Sequence, residues 1–431
     1  MPFAWKQIGE TEIGDNQYDN YGFFTALNDD GTLVAVSAFG DEIRDEDTVV
    51  VANRLGYVRV LENDGNNLKW QQIGDDILDP RPEPNNNYGG TIAFSRDGTT
   101  LAISSRCSDV PSGNTVIERA GVVRVYKRVV NQWMQIGGDI EGTDANKCFG
   151  TATSLNYDGT ILAIGEGSSI GPKFIRVYQY DGTDWNLLGT PVTVNQGTSP
   201  NTFFAPIPIK LSDDGQRFSL GYDAFTNPEV YEGAAFVYEF DGSSTWAEIF
   251  RYESNSQGGV AGVWSGLSGD GKHLITDTQS SEKVLTFIEG SGVWSQYGND
   301  IMTDAIDPNQ VNFGSRVDIT PDGNTIAIAS RGFSDTLIGA YDCVKIFDYD
   351  GPNDRWLQRG EDITRVDLSA DFVRLSLSYD GQKISIGDPA ERVGSSISNG
   401  SFRVFEWTDR TTPLEQKNFN RYWTSVLAGG C

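Results

Sequence analysis

Seven aspartates stand directly before a glycine that leads into an apolar run, at well-separated points in the chain: Asp30, Asp97, Asp158, Asp214, Asp270, Asp322 and Asp380. Carboxylates of this kind can serve as general acids, bases or nucleophiles in sugar chemistry. Their regularity points elsewhere. Catalysis singles out one or two positions, whereas a side chain that caps its own backbone in a tight turn is needed in every copy. The one histidine, His273, lies in DGKHLIT. Alone it builds neither a Ser–His–Asp arrangement nor a histidine cluster, so it is read as a strand-end residue. Four cysteines (Cys107, Cys148, Cys343, Cys431) are far apart and form no CxxC, so neither a zinc site nor a dense disulfide framework is expected. Cys107 and Cys148 fall where a disulfide is geometrically conceivable, but free thiols are the expectation. No catalytic residue, cofactor or metal is assigned.

The remaining polar candidates are loop residues. The densest acidic run spans Asp41, Asp45 and Asp47, and matches no ordered calcium loop. Arg106, Asp109, Glu229, Arg331 and Asp335 lie in other long loops and join these three as candidate partner-binding residues. Arg316 and Arg374 stand at equivalent positions, seven residues before a turn glycine. A place in the central channel, meeting an anion, is one reading of them; internal pairing with acidic neighbours such as Asp318 is the expected one.

These residues are carried by a repeat. The segments NDDGTLVAV, SRDGTTLAI, NYDGTILAI, SDDGQRFSL, SGDGKHLIT, TPDGNTIAI and SYDGQKISI put an Asp-Gly before an apolar run at spacings of 67, 61, 56, 56, 52 and 58 residues. Asp-Gly between two short β-type runs is a hairpin signal, because glycine accepts positive φ. A third run follows (YVRVLE, VVRVYK, IRVYQY, AFVYEF, KVLTFI, VKIFDY, FRVFEW), and then, in six repeats, a strand opening on tryptophan (Trp70, Trp133, Trp185, Trp246, Trp294, Trp356). Each unit thus supplies strands A, B, C and D. The last repeat lacks its D strand, and WKQIGETEI at Trp5 is a surplus strand ahead of the first A.

The expected fold is all-β: a seven-bladed β-propeller of four-stranded blades over residues 1–410, its last blade completed by an N-terminal strand at 3–9. The tryptophans should pack between blades near the outer rim. Residues 411–431 are left over and read as a docking tail carrying Phe419, Tyr422, Trp423 and Leu427. Tyr21-Gly22, Tyr88-Gly89, Phe149-Gly150 and Phe313-Gly314 open strand A, and with the Asp-Gly turns they give a pattern that resembles FG-GAP, Kelch and WD-type propellers of bacteria and phages. The calcium loop of FG-GAP repeats is missing. The resemblance implies a fold and leaves function open.

Composition narrows the partners. A net charge of −27 excludes nucleic acid as the main partner and argues against adsorption to anionic lipid. No apolar run is long enough to span a membrane, and no secretory signal is visible at the start. The expected place is therefore the cytoplasm, with incorporation into a virion or other assembly, or alternatively the cell surface. With no catalytic constellation in view, the function expected is a non-catalytic interaction or attachment module that binds a protein partner or a surface glycan receptor. The alternative is a carbohydrate-active hydrolase or lyase using carboxylates. A weaker alternative is a lectin, disfavoured because the B–C loops differ between repeats. Binding is expected on the face of the long B–C and D–A loops.

Overall fold

The structure is a computed structural model that describes residues 3–16, 19–39, 42–44, 50–53, 55–63, 69–83, 86–167, 173–194, 208–227, 230–253, 261–278, 283–302, 311–332, 343–364, 374–389 and 399–409. Seven antiparallel sheets, each built on a path of four strands, form the blades of a propeller. Blade 1 runs Tyr21–Leu27, Leu33–Ala38, Tyr57–Glu62 and Gln71–Gln72 from axis to rim. Among the described residues, no helix is long and apolar enough to cross a membrane.

Each A–B turn is held by the same pair of bonds. A Ser, Thr or Asn two residues before the aspartate accepts the backbone N–H of the residue five positions on. Examples are Asn28 from Leu33 at 2.9 Å, Ser95 from Thr100 at 2.8 Å and Ser378 from Lys383 at 2.9 Å. The aspartate accepts the N–H two residues after itself, as Asp97 does from Thr99 at 3.0 Å and Asp322 from Asn324 at 3.0 Å. These are side-chain caps of the turn type the composition demands. His273 belongs to this device. Its ring Nδ1 lies 3.3 Å from Asp270 and 3.4 Å from Ser268, and its own N–H donates to Ser268. Burial pushes Asp270 up, but hydrogen bonds from His273, Ser268 and the Lys272 N–H outweigh it and bring its pKa to about 2.

The turn glycines press against the preceding blade. At Gly159, with φ +69°, an added Cβ would lie 2.3 Å from the Thr100 Cβ. Gly159→Ala should therefore destabilise the protein by roughly 1–3 kcal/mol, from a strained φ and an unrelieved overlap. Denaturant unfolding would check this, and a loss below the ordinary surface range would show that the blades yield.

The tryptophans sit between blades as expected. Trp185 donates its ring N–H to Ile136 O at 3.2 Å, Trp246 to Leu188 O at 2.9 Å, and Trp356 to Thr286 Oγ1 at 3.0 Å, each on the preceding blade. In four of the Trp-x-x-x-Gly segments the Asp two residues after the glycine pairs with a strand C cation: Asp76 with Arg59, Asp139 with Arg124, Asp300 with Lys283 and Asp362 with Lys345. Blade 7 consists of Arg374–Leu377, Lys383–Asp388, Ser401–Asp409 and, outermost, Phe3–Ile13. The N-terminal strand closes the ring and is longer than the 3–9 expected. It pairs from Phe3 opposite Asp409 to Ile13 opposite Ser401, with a register irregularity between Ile8 and Glu12. Trp5 donates to Arg359 O on blade 6 at 3.1 Å, and Ile8 O accepts from Trp70 on blade 1 at 3.3 Å.

Candidate functional site

Closure places the inner strands around an axial cavity of about 240 Å³, lined from end to end by strand A residues. That is at the small end of ligand pockets, which run to roughly 300–1,000 Å³, and suits a compact molecule or a single sugar unit.

The turn-face end of this cavity is built by a position that sequence reading passed over. Between the Ser, Thr or Asn cap and the Asp-Gly lies one residue of five different types among the seven blades: Asp29, Arg96, Tyr157, Asp213, Gly269, Pro321 and Tyr379. Their backbones bond from blade to blade around the axis, with Asp29 N to Arg96 O at 2.8 Å, Tyr157 N to Asp213 O at 3.1 Å, Asp213 N to Gly269 O at 2.7 Å and Tyr379 N to Asp29 O at 2.8 Å. The detectable signal was a variable residue inside an otherwise constant motif.

Arg96 organises the polar members of this ring. Its Nη2 lies 2.8 Å from Asp29 Oδ1 and its Nη1 3.0 Å from Asp213 Oδ1. The guanidinium carbon lies 4.7 Å from the centre of the Tyr379 ring. Asp213 is half-buried at the cavity mouth, and burial pushes its carboxyl above the ordinary range against the opposing charges of Arg96 and Lys210. A carboxyl raised in this way is protonated over more of the working pH range and can donate a proton.

One layer deeper stand Lys210 and Asp318, with Nζ 3.7 Å from Oδ1. Asp318 also accepts the Leu377 N–H at 2.9 Å and the Ile319 N–H at 3.0 Å. The cavity therefore carries two carboxyls in contrasting settings, Asp213 raised by burial and Asp318 among hydrogen-bond donors and a cation.

The far end is cationic and aromatic. The Arg316 guanidinium lies 3.5 Å from the Trp264 ring centre, and that of Arg374 lies 4.5 Å from Phe24 and 5.6 Å from Trp264. Burial and the charge of Arg106 pull Arg374 below the usual arginine range. Both arginines line the channel.

Of the loop residues singled out in the sequence, Arg106 lies beside the Phe39 ring at 5.6 Å, and Asp109 accepts the Arg119 N–H at 2.8 Å. Asp41, Asp45, Asp47, Glu229 and Asp335 lie outside the described residues, as do the Arg331 side chain and the tail residues Phe419, Tyr422, Trp423 and Leu427. Among the described residues, no group of three or more His, Cys, Asp and Glu side chains is placed to hold a metal ion.

No protein-family model matches the chain, and no curated protein matches it. Solved structures do. The chain is similar to the Cps50 (Swd1) β-propeller domain of Myceliophteria thermophila, with a TM-score of 0.51 at 9% identity over 94% of this chain and 98% of that one. It is similar to an oligogalacturonate lyase in complex with manganese, with a TM-score of 0.51 at 10% identity over 95% and 97% of the two chains. The periplasmic gluconolactonase of Pseudomonas aeruginosa is 16% identical over 85% and 98%, with a TM-score of 0.49. At these identities the likeness establishes the propeller architecture.

That finding corrects one expectation. A non-catalytic attachment module, with enzyme activity excluded, was inferred from the lone histidine and the lack of a recognisable nucleophile. The architecture is shared with an oligogalacturonate lyase. A closed ring without a histidine constellation is therefore no ground for excluding catalysis, and the structural, virion and adhesion reading is withdrawn. Side chains that line a propeller axis come from separate blades, so no local motif announces what they form together.

Proposed function

We propose that the protein is a carbohydrate-active hydrolase or lyase that works with carboxylates in the axial channel. The observation that carries this reading is Asp213: a half-buried carboxyl at the cavity mouth, raised by burial and oriented by Arg96, which binds Asp29 on its other side. Asp213 is the proton donor to a leaving oxygen, and Asp318 is the second carboxylate. Arg316 and Arg374, held against the Trp264 ring, favour an acidic sugar, the chemical class of an oligogalacturonate. Kinship with FG-GAP, Kelch and WD-type repeats belongs to the same reading and rests on the Tyr/Phe-Gly and Asp-Gly pattern.

The test is turnover of sugar lactones, uronate oligosaccharides and neutral glycosides, followed by Asp213→Asn. Removing a general acid should lower kcat on the accepted substrate by on the order of 100-fold or more. Activity should fall as pH rises through the elevated Asp213 pKa, because the donor form is lost. A pH limb that persists in Asp213→Asn would remove Asp213 from the mechanism, and no turnover across all three substrate classes would remove the enzyme reading.

A further inference from the structure

Outside the channel, two thiols from neighbouring blades meet. Cys107 lies in the turn after strand Thr100–Ser105 of blade 2, and Cys148 just before strand Ala152–Leu155 of blade 3. Their Sγ atoms are 3.9 Å apart across 41 residues of sequence. Cys107 is partly exposed, and Cys148 is buried at 3%. Two donors converge on the Cys107 sulfur: Asn87 Nδ2 at 3.1 Å and Arg119 Nη2 at 3.4 Å. The backbone is locally strained as well. Of the eight non-glycine residues with positive φ among those described, Asn87 (58°), Arg119 (49°), Asn146 (60°) and Cys148 (50°) all belong to this junction. Such residues persist where surrounding structure over-determines them, often at functional sites. Here they are pinned by Cys107 N to Asn86 O at 3.0 Å, Asn146 N to Glu118 O at 2.8 Å and Cys148 N to Arg119 O at 3.1 Å.

We propose that Cys107 and Cys148 form a peroxide-reactive dithiol, with Cys107 as the attacking thiolate and Cys148 as the resolving thiol. The inference is independent of the channel chemistry. The Cys148 thiol donates to Cys107 and, with the charges of Arg119 and Arg106 and the Asn87 amide, outweighs burial to bring the Cys107 pKa down to about 6. Cys148 is pushed up by the same contact and by burial, so at neutral pH the pair is one thiolate beside one thiol. A thiolate of this kind is the nucleophile in cysteine chemistry, and low pKa with access defines oxidation-sensitive sites. The Cys107 sulfur attacks one oxygen of a hydroperoxide. The O–O bond breaks, the leaving alkoxide takes a proton, and Cys107 becomes a sulfenic acid. The Cys148 thiol then loses its proton and attacks that sulfur, the S–O bond breaks, and water leaves. Two electrons pass from the two thiols to one hydroperoxide, and the disulfide ties blade 2 to blade 3. The sulfurs need approach by only about 2 Å to reach bonding distance.

The experiment uses the full-length protein, hydrogen peroxide and a dithiol reductant. Stoichiometric peroxide should remove two hydrogens' mass from the intact protein, with peptide mapping placing the cross-link between Cys107 and Cys148, and the reductant should reverse it. Iodoacetamide alkylation of Cys107 in the untreated protein should be half-maximal near pH 6, a measurement that needs no variant. Cys148→Ser should instead accumulate a sulfenic acid on Cys107 that dimedone traps. If Cys107 alkylates with the midpoint of an ordinary thiol, about 8.5, or if both thiols survive stoichiometric peroxide, the proposal is overturned.

Discussion

Deleting residues 1–13 should convert a monodisperse protein into an aggregating one. The N-terminal strand is the outer strand of blade 7, and its removal uncovers the edge of Ser401–Asp409 along its whole length. An unpaired edge of this kind templates association with other chains. The loss also reaches two cores. Trp5 packs against the apolar cluster shared by blades 6 and 7, and Ile8 against the one shared by blades 7 and 1. At about 2 kcal/mol for each large apolar side chain removed from its neighbours, these two alone contribute on the order of 4 kcal/mol. Trp407, whose ring centre lies 5.5 Å from that of Trp5 in a tilted contact, would lose its cover. Light scattering and thermal melting of the truncated chain would check this, with partial rescue expected from the residue 1–13 peptide added in trans. A truncated protein that melts at the full-length temperature and stays monodisperse would mean that the ring does not depend on this closure.

Arg124→Met should cost about 3–5 kcal/mol, and far more than the same change at Arg59. Both arginines occupy the strand C position that pairs with the Asp after Trp-x-x-x-Gly, so a local reading ranks them alike. Burial separates them. Arg124 is 1% exposed in its side chain and binds Asp79, itself 2% exposed, at 2.8 Å, as well as Asp139 at 2.9 Å. Asp79 also accepts from Asn86 at 2.6 Å and Ser105 at 2.8 Å, but these are neutral donors. Without Arg124 the protein buries an uncompensated carboxylate, the situation in which breaking a pair is most costly. Arg59 binds Asp76 at 2.8 Å with 14% and 28% exposure, and water can take over there. Urea unfolding of both variants would compare them. Adding Asp79→Asn to Arg124→Met should recover part of the loss, because it removes the stranded charge. Equal losses at the two arginines would show that burial does not set the scale.

The repeat made the architecture legible before any coordinates. Asp-Gly hairpins, β-branched strands and rim tryptophans are local features, and each depends on residues within a few positions of one another. Their count, with one D strand missing at the end and one surplus at the start, determined the number of blades and how the ring closes. The structure changed only the extent of the closing strand, which reaches Ile13.

The axial site was decided by tertiary structure. Asp29, Arg96 and Asp213 are separated by 67 and 117 residues along the chain, and only ring closure brings them onto one guanidinium. Their position is spelled by the sequence, as the residue between cap and Asp-Gly, but the charge each meets there depends on which blades face each other across the axis. Cys107 and Cys148 follow the same logic. Spacing placed them on neighbouring blades, and the strained turns at Asn87, Arg119 and Cys148 decided that two sulfurs and a guanidinium share one point. Short-range periodicity records what each segment needs to become a strand. The proton affinity of a carboxyl or a thiol is instead set by burial and by charges that arrive from elsewhere in the chain, and no local pattern carries that information.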